Sequence, residues 1–195
     1  MKYLMKNSKF CLLLSLIAIG LMTISFFIDD NKMNQELSEK SKVMYGFAAK
    51  TGEKLGKKYK MSPAGIGGGG GPKEEGIWLI SLVFDRYGEP LTENMARQLI
   101  VNCVDDFLEA VNNDKQLKPF LKEYPFTAKN LEVSIHNYDH NGYQIAEPFI
   151  VTVNMSRGKV GYYTVEKQDS LPFKTKKYES FDEAVAILKE EDKTN

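Results

Sequence analysis

Leu131-Glu132-Val133-Ser134-Ile135-His136 decides the fold. Apolar and polar residues alternate there, which is the period of a strand with one face buried and the other wet. Such a strand needs a covering layer on one side only. Downstream, Asn141-Gly142 is a hairpin turn signal. Phe149, Val151, Val153 and Met155 alternate as the next strand, and Arg157-Gly158 turns the chain into a third over residues 160–165. Residues 173–178 add an edge strand whose Lys174, Lys176 and Lys177 discourage pairing with another chain. Ser180-Phe181-Asp182-Glu183 is a capping box that opens a last helix through Leu188.

Upstream, residues 77–87 read as a strand with two apolar faces. Trp78, Ile80, Leu82 and Phe84 lie on one, and Ile77, Leu79 and Val83 on the other. That marks a central strand covered on both sides, or one lying in an oligomer interface. After Gly88-Glu89-Pro90, Thr92 is an N-cap. Met95, Leu99, Cys103, Phe107, Leu108 and Val111 then follow at helical spacing to about residue 113. A short helical piece at 117–124 ends at Pro125. The order predicts an α+β domain over residues 73–195. Its antiparallel sheet, of about four to five strands, is packed by one long and one C-terminal helix.

Ahead of that domain the chain changes character. Lys2, Lys6 and Lys9 precede an uncharged apolar run over residues 10–28 that stops at Asp29-Asp30. About 19 residues of helix span roughly 28 Å, close to a bilayer core. Residues 1–30 are therefore expected to be a transmembrane signal anchor of bacterial type. The lysines place the N-terminus in the cytoplasm and the domain outside. The competing reading is a cleaved secretory signal ending near Ala18-Ile19-Gly20, which would leave a secreted or periplasmic protein. Cys11 begins the apolar run instead of following it, so it reads as an apolar filler and not as a lipidation site.

Residues 31–60 read as a basic helical stalk. Met33, Leu37, Met44, Ala48, Leu55 and Tyr59 recur with an 11-residue period. Gly46, Gly52 and Gly56 each weaken a helix by about 1 kcal/mol. Residues 61–72 hold five consecutive glycines and Pro72 and read as a flexible linker with a reach of roughly 19 Å. Gly65 to Gly70 match a dinucleotide-binding fingerprint only because nearly every position is glycine, and the strand-before, helix-after context is missing.

The formal net charge is zero, but residues 1–72 carry 11 Lys against 5 Asp/Glu, and residues 73–195 carry 15 Lys/Arg against 21 Asp/Glu. An acidic domain argues against nucleic acid as a partner. Cys11 and Cys103 are the only cysteines. They pair in no plausible disulfide, and Cys103 reads as buried and reduced.

No catalytic, cofactor-binding or metal-binding residue is assigned. His136 and His140 on one strand would stand roughly 13 Å apart, too far for one zinc. Asn137-x-Asp139-x-Asn141-Gly142 resembles half of a calcium loop, but it starts with Asn and ends on Pro148, with Glu147 one place early. Asp105, Asp106 and Glu109 read as a solvated helix face. Trp78, Phe84, Tyr87, Tyr138, Tyr143, Tyr162 and Tyr163 suit an interface, with most of them expected in the core. The expectation is thus a non-enzymatic, membrane-tethered extracytoplasmic domain that binds a protein partner, self-association included. One alternative is a small exported enzyme or weak calcium-binding domain using the 136–147 hairpin. Another is a membrane-surface protein acting through residues 32–60.

Overall fold

The computed structural model describes residues 38–70, 75–168, 172–191 and 193. Helix α1 (Glu39–Tyr59) leads into strand β1 (Ser62–Gly69) and strand β2 (Leu79–Tyr87). Helix α2 (Glu93–Asn113) follows. Two short 3-10 turns, Lys118–Phe120 and Ala128–Asn130, precede strand β3 (Leu131–Tyr138). Strands β4 (Thr152–Ser156), β5 (Lys159–Thr164) and β6 (Lys174–Ser180) and helix α3 (Phe181–Glu191) complete the order. The six strands form one sheet in sequence order. β2 and β3 run parallel, joined through α2, and every other neighbouring pair is antiparallel.

The expected alternation is realised in β3. Leu131, Val133 and Ile135 are buried while Glu132, Ser134 and His136 are half-buried. The buried set continues across the sheet through Ile80, Leu82 and Phe84 of β2, Val153 and Met155 of β4, and Val160 and Tyr162 of β5. α1, α2 and α3 pack on this face. α2 supplies Ala96, Ile100, Cys103, Val104, Phe107 and Val111, and Phe107 stacks on Phe47 of α1 with centroids 6.4 Å apart.

Local signals hold where the chemistry is local. The Thr92 hydroxyl accepts from Met95 N–H at 3.3 Å and caps α2. Ser180 and Glu183 exchange the two bonds of a capping box. Arg157 and Gly158 both have positive φ, +52° and +75°, as the tight turn between β4 and β5 requires.

Four readings are corrected. The sheet is mixed and six-stranded: the β2–α2–β3 connection crosses over and pairs its strands in parallel. Residues 62–69 are no linker but edge strand β1, paired with β2 from Ser62↔Asp85 to Gly69↔Leu79. Residues 39–59 are helical, as expected, yet they form a covering helix and not a stalk. Met44, Ala48 and Leu55 of the expected stripe are buried against the sheet, and the compact unit begins at Glu39 instead of residue 73. The Asn141-Gly142 turn forms but does not lead straight into a strand, because residues 145–151 intervene and Ile150 bridges to Leu91. Residues 1–30, with the expected anchor and Cys11, lie outside the described residues, as do Met33, Leu37 and residues 71–74. Among the described residues no helix is long and apolar enough to cross a membrane.

The glycines of α1 and β1 have a common use. A Cβ at Gly56 would lie 2.7 Å from Met61 O and 3.2 Å from Pro63 Cδ. Lys60, at φ +55°, ends the helix, and Met61 N–H returns to Gly56 O at 2.8 Å, closing a Schellman turn. A Cβ at Gly68 would lie 2.5 Å from Met44 Sδ. The helix and edge strand can therefore approach closely only because side chains are missing where they touch.

Candidate functional site

With three helices on one face, the other face of the sheet carries no packed layer among the described residues. Strand register lays out this open face in rows. Ser81, Glu132, Ser156 and Lys159 form one row. Val83, Ser134, Asn154, Gly161 and Tyr178 form the next. Asp85, His136, Thr152 and Tyr163 form the third, with Tyr87 and Tyr138 beyond it.

The floor is polar and internally bonded. Glu132 lies between two serines, accepting from Ser81 Oγ at 3.0 Å and Ser156 Oγ at 2.7 Å. His136 Nδ1 and Thr152 Oγ1 share a hydrogen bond of 3.1 Å. Aromatic rings stand at the margins. Tyr87 and Tyr138 stack with centroids 5.4 Å apart. Burial, reinforced by Asp85 and Tyr87, pushes the Tyr138 phenol above its ordinary value. On the opposite side Tyr163 and Tyr178 meet edge to face at 6.1 Å, with their hydroxyls 3.2 Å apart and Lys159 Nζ 5.8 Å above the Tyr178 ring. Burial and the Tyr178 hydroxyl push Tyr163 up to about 12. Both phenols reach over Gly161, where a Cβ would meet Tyr163 Oη and Tyr178 Cε1 at 2.8 Å each. At the β1 edge the indole of Trp78 covers Gly69, three of its ring atoms lying 2.4–3.0 Å from where a Cβ would stand.

Of the seven aromatics read as interface material, Phe84 and Tyr162 are fully buried, whereas Trp78, Tyr138 and Tyr163 are half-buried. Tyr87 is 52% exposed and Tyr143 50%. Tyr178, 53% exposed, was not singled out by the sequence. Its β6 lysines dominate that stretch, and only the pairing of Gly161 with Tyr178 reveals the ring's place on this face.

The other candidates have separate surroundings. His136 sits on β3, while His140, in the following loop, faces Glu89 at 3.4 Å with both side chains well exposed. Asp139 Oδ1 accepts from the N–H groups of Asn141 at 2.8 Å and Tyr143 at 2.9 Å, the bonding of an Asx turn. These bonds, that of Tyr143 above all, hold its carboxyl below the usual range. No group of three or more His, Cys, Asp or Glu among the described residues is placed to hold a metal ion. Asp105 and Glu109 are exposed on α2. Asp106 instead accepts from Lys58 and Tyr59, tying α2 to α1 beside a groove of about 340 Å³. Cys103 is fully buried and free.

A second polar cluster joins α2 to β5 and β6 on the helical side. Buried Glu179 accepts from Arg97 Nε at 2.8 Å, Lys177 Nζ at 2.8 Å and Tyr162 Oη. Arg97 also donates to Glu93 at 2.9 Å. Burial alone would raise the Glu179 carboxyl, but the bonds from Arg97, Lys177 and Tyr162 outweigh it and hold it at about 2. Each charge here has its counter-charge, which is the arrangement of a structural clamp.

No family model matches the chain, and no curated protein or solved structure matches it.

Proposed function

We propose that this chain is a non-enzymatic binding domain, tethered to a membrane by residues 10–28 and held outside the cytoplasm, that engages a protein partner through the open face of its sheet. One observation carries the reading: three helices layer one face of the six-stranded sheet, and the other presents a polar floor bordered by tyrosines. Tyrosine supplies apolar area with a polar tip at little entropic cost, and serine, threonine and asparagine add adaptable hydrogen bonding. That mixture is suited to recognition. The half-buried Val83 adds an apolar contact to the same face.

The tether rests on the length of the apolar run and the three lysines before it. The α1 stripe is packed on the sheet, so its apolar side is occupied within the domain and not offered to a lipid surface. The test is crosslinking and pulldown of the full chain from membranes, with a Tyr87→Ala/Tyr178→Ala double variant as control. A discrete partner that is captured by the wild type and lost with the double variant, while thermal stability is kept, supports the reading. A wild-type chain that captures nothing, or a double variant that captures the same partner equally well, contradicts it.

A further inference from the structure

The two outer strands of the sheet, β1 and β6, are guarded differently. β6 carries Lys174, Lys176 and Lys177. Such a strand resists a second copy of itself, because like charges would meet across the seam. β1 carries no charge, and neither does the chain from Met61 to Pro72. None of the eight β1 residues is buried, and its outer side has no neighbouring strand among the described residues. Its outward backbone N–H and C=O groups are therefore a template for another strand.

The side chains of β1 favour one occupant. A foreign peptide added to a sheet edge is selected by pockets for its alternate side chains. Four of the eight β1 residues are glycine and build no pocket walls. A second β1 does fit this edge. A bulge between Pro63 and Gly65 confines regular pairing to Gly65–Gly69, whose midpoint is Gly67. Ile66 and Gly68 flank that midpoint and face the helical side, opposite the core residues Leu82 and Ile80 of β2. Ile66 is 41% exposed, and no other leucine or isoleucine among the described residues is exposed. A Cβ at Gly68 would lie 2.5 Å from Met44 Sδ, so the methionine fills the space above that glycine. An antiparallel pairing centred on Gly67 sets Ile66 of each copy opposite Gly68 of the other. Each isoleucine then packs toward the other copy's Met44, over a position where a side chain would block it.

We propose that two copies of this chain pair through β1, antiparallel about a twofold axis at Gly67, and join their sheets into one. The axis stands perpendicular to the sheet, so both open faces lie on one side and both helical layers on the other. Gly65 and Gly67 keep the seam flat on the open side. A partner surface continuous across the seam rests on the open-face reading; the pairing itself does not.

The test is cysteine crosslinking of the full chain in a Cys11→Ser background, read in membrane and soluble fractions alike, so that it stands whether or not residues 10–28 hold the chain in a bilayer. Cys103 is fully buried and does not compete. Gly67→Cys puts a thiol on the axis, where a Cβ has an ordinary contact of 3.6 Å with Ser81 Cβ. Antiparallel partners stand about 4.5–5.5 Å apart at Cα, within disulfide reach. Oxidation should give a linked dimer from Gly67→Cys and none from Thr175→Cys on β6. Adding Ile66→Lys should cut the linked fraction about tenfold with thermal stability kept, because it gives β1 the kind of charge that guards β6. No dimer from Gly67→Cys, equal dimers from both cysteines, or a linked fraction undiminished by Ile66→Lys overturns the proposal. A monomer whose β1 amides resist hydrogen exchange overturns it too, since another part of the same chain would then hold the edge.

Discussion

Glu179 is almost closed off from water, and three donors converge on its carboxylate. Its folded value of about 2 lies below the ordinary 4.5. The stabilisation is therefore present in full above about pH 4.5 and is lost as pH falls toward 2. Glu179→Gln should destabilise the domain by on the order of 3 kcal/mol at pH 7, because Arg97 loses its buried partner. The variant should also lack this part of the acid transition, which chemical denaturation at pH 7, 4 and 3 would measure. Cys103 is the complementary case. Burial, aided by Asp106, pushes its thiol up to about 12, so it stays protonated at neutral pH. Iodoacetamide at pH 8 should leave it unmodified in the folded chain and alkylate it in denaturant; modification of the native chain at the denatured rate would refute its burial.

Among the elements, α1 and β1 separate what sequence reports from what it hides. The spacing of Met44, Ala48 and Leu55 was legible as a stripe, and the stripe is real. What covers it was not legible, since the covering strand is largely glycine and has no side-chain period to read. β1 is defined instead by its neighbours: Met44 over Gly68, Trp78 over Gly69, and β2 alongside. Two glycine substitutions in one helix test this. Gly46 has nothing within 4 Å of a built Cβ, so Gly46→Ala should stabilise by about 0.5–1 kcal/mol. Gly56→Ala drives a methyl into Met61 O and Pro63 and should destabilise by roughly 1–3 kcal/mol. Thermal melts of both variants give the comparison. A stalk detached from the sheet would instead gain stability from both changes.

For the molecule as a whole, the domain begins at Glu39. Limited proteolysis of the full chain should leave a resistant fragment that retains residues 39–70, with cuts at the glycine run absent; a fragment starting near residue 73 would restore the linker reading. The α+β class and the half-wet sheet were legible from the alternation at residues 131–136. The parallel pairing was not read, although the two apolar faces of β2 and the long helix between β2 and β3 are both consistent with a crossover. The open face was legible only in part. Tyr87 and Tyr138 stood out as aromatics, but Tyr178 and the Ser81–Glu132–Ser156 bridge join the face through register alone. The most direct measurement is photocrosslinking in intact cells from a probe placed at Ser134, in the middle row of the open face, compared with a probe at Glu109, exposed on the helical side. Partner binding on the open face predicts a discrete protein adduct from position 134 and none from 109. No adduct from 134, or the same adduct from both positions, would contradict it.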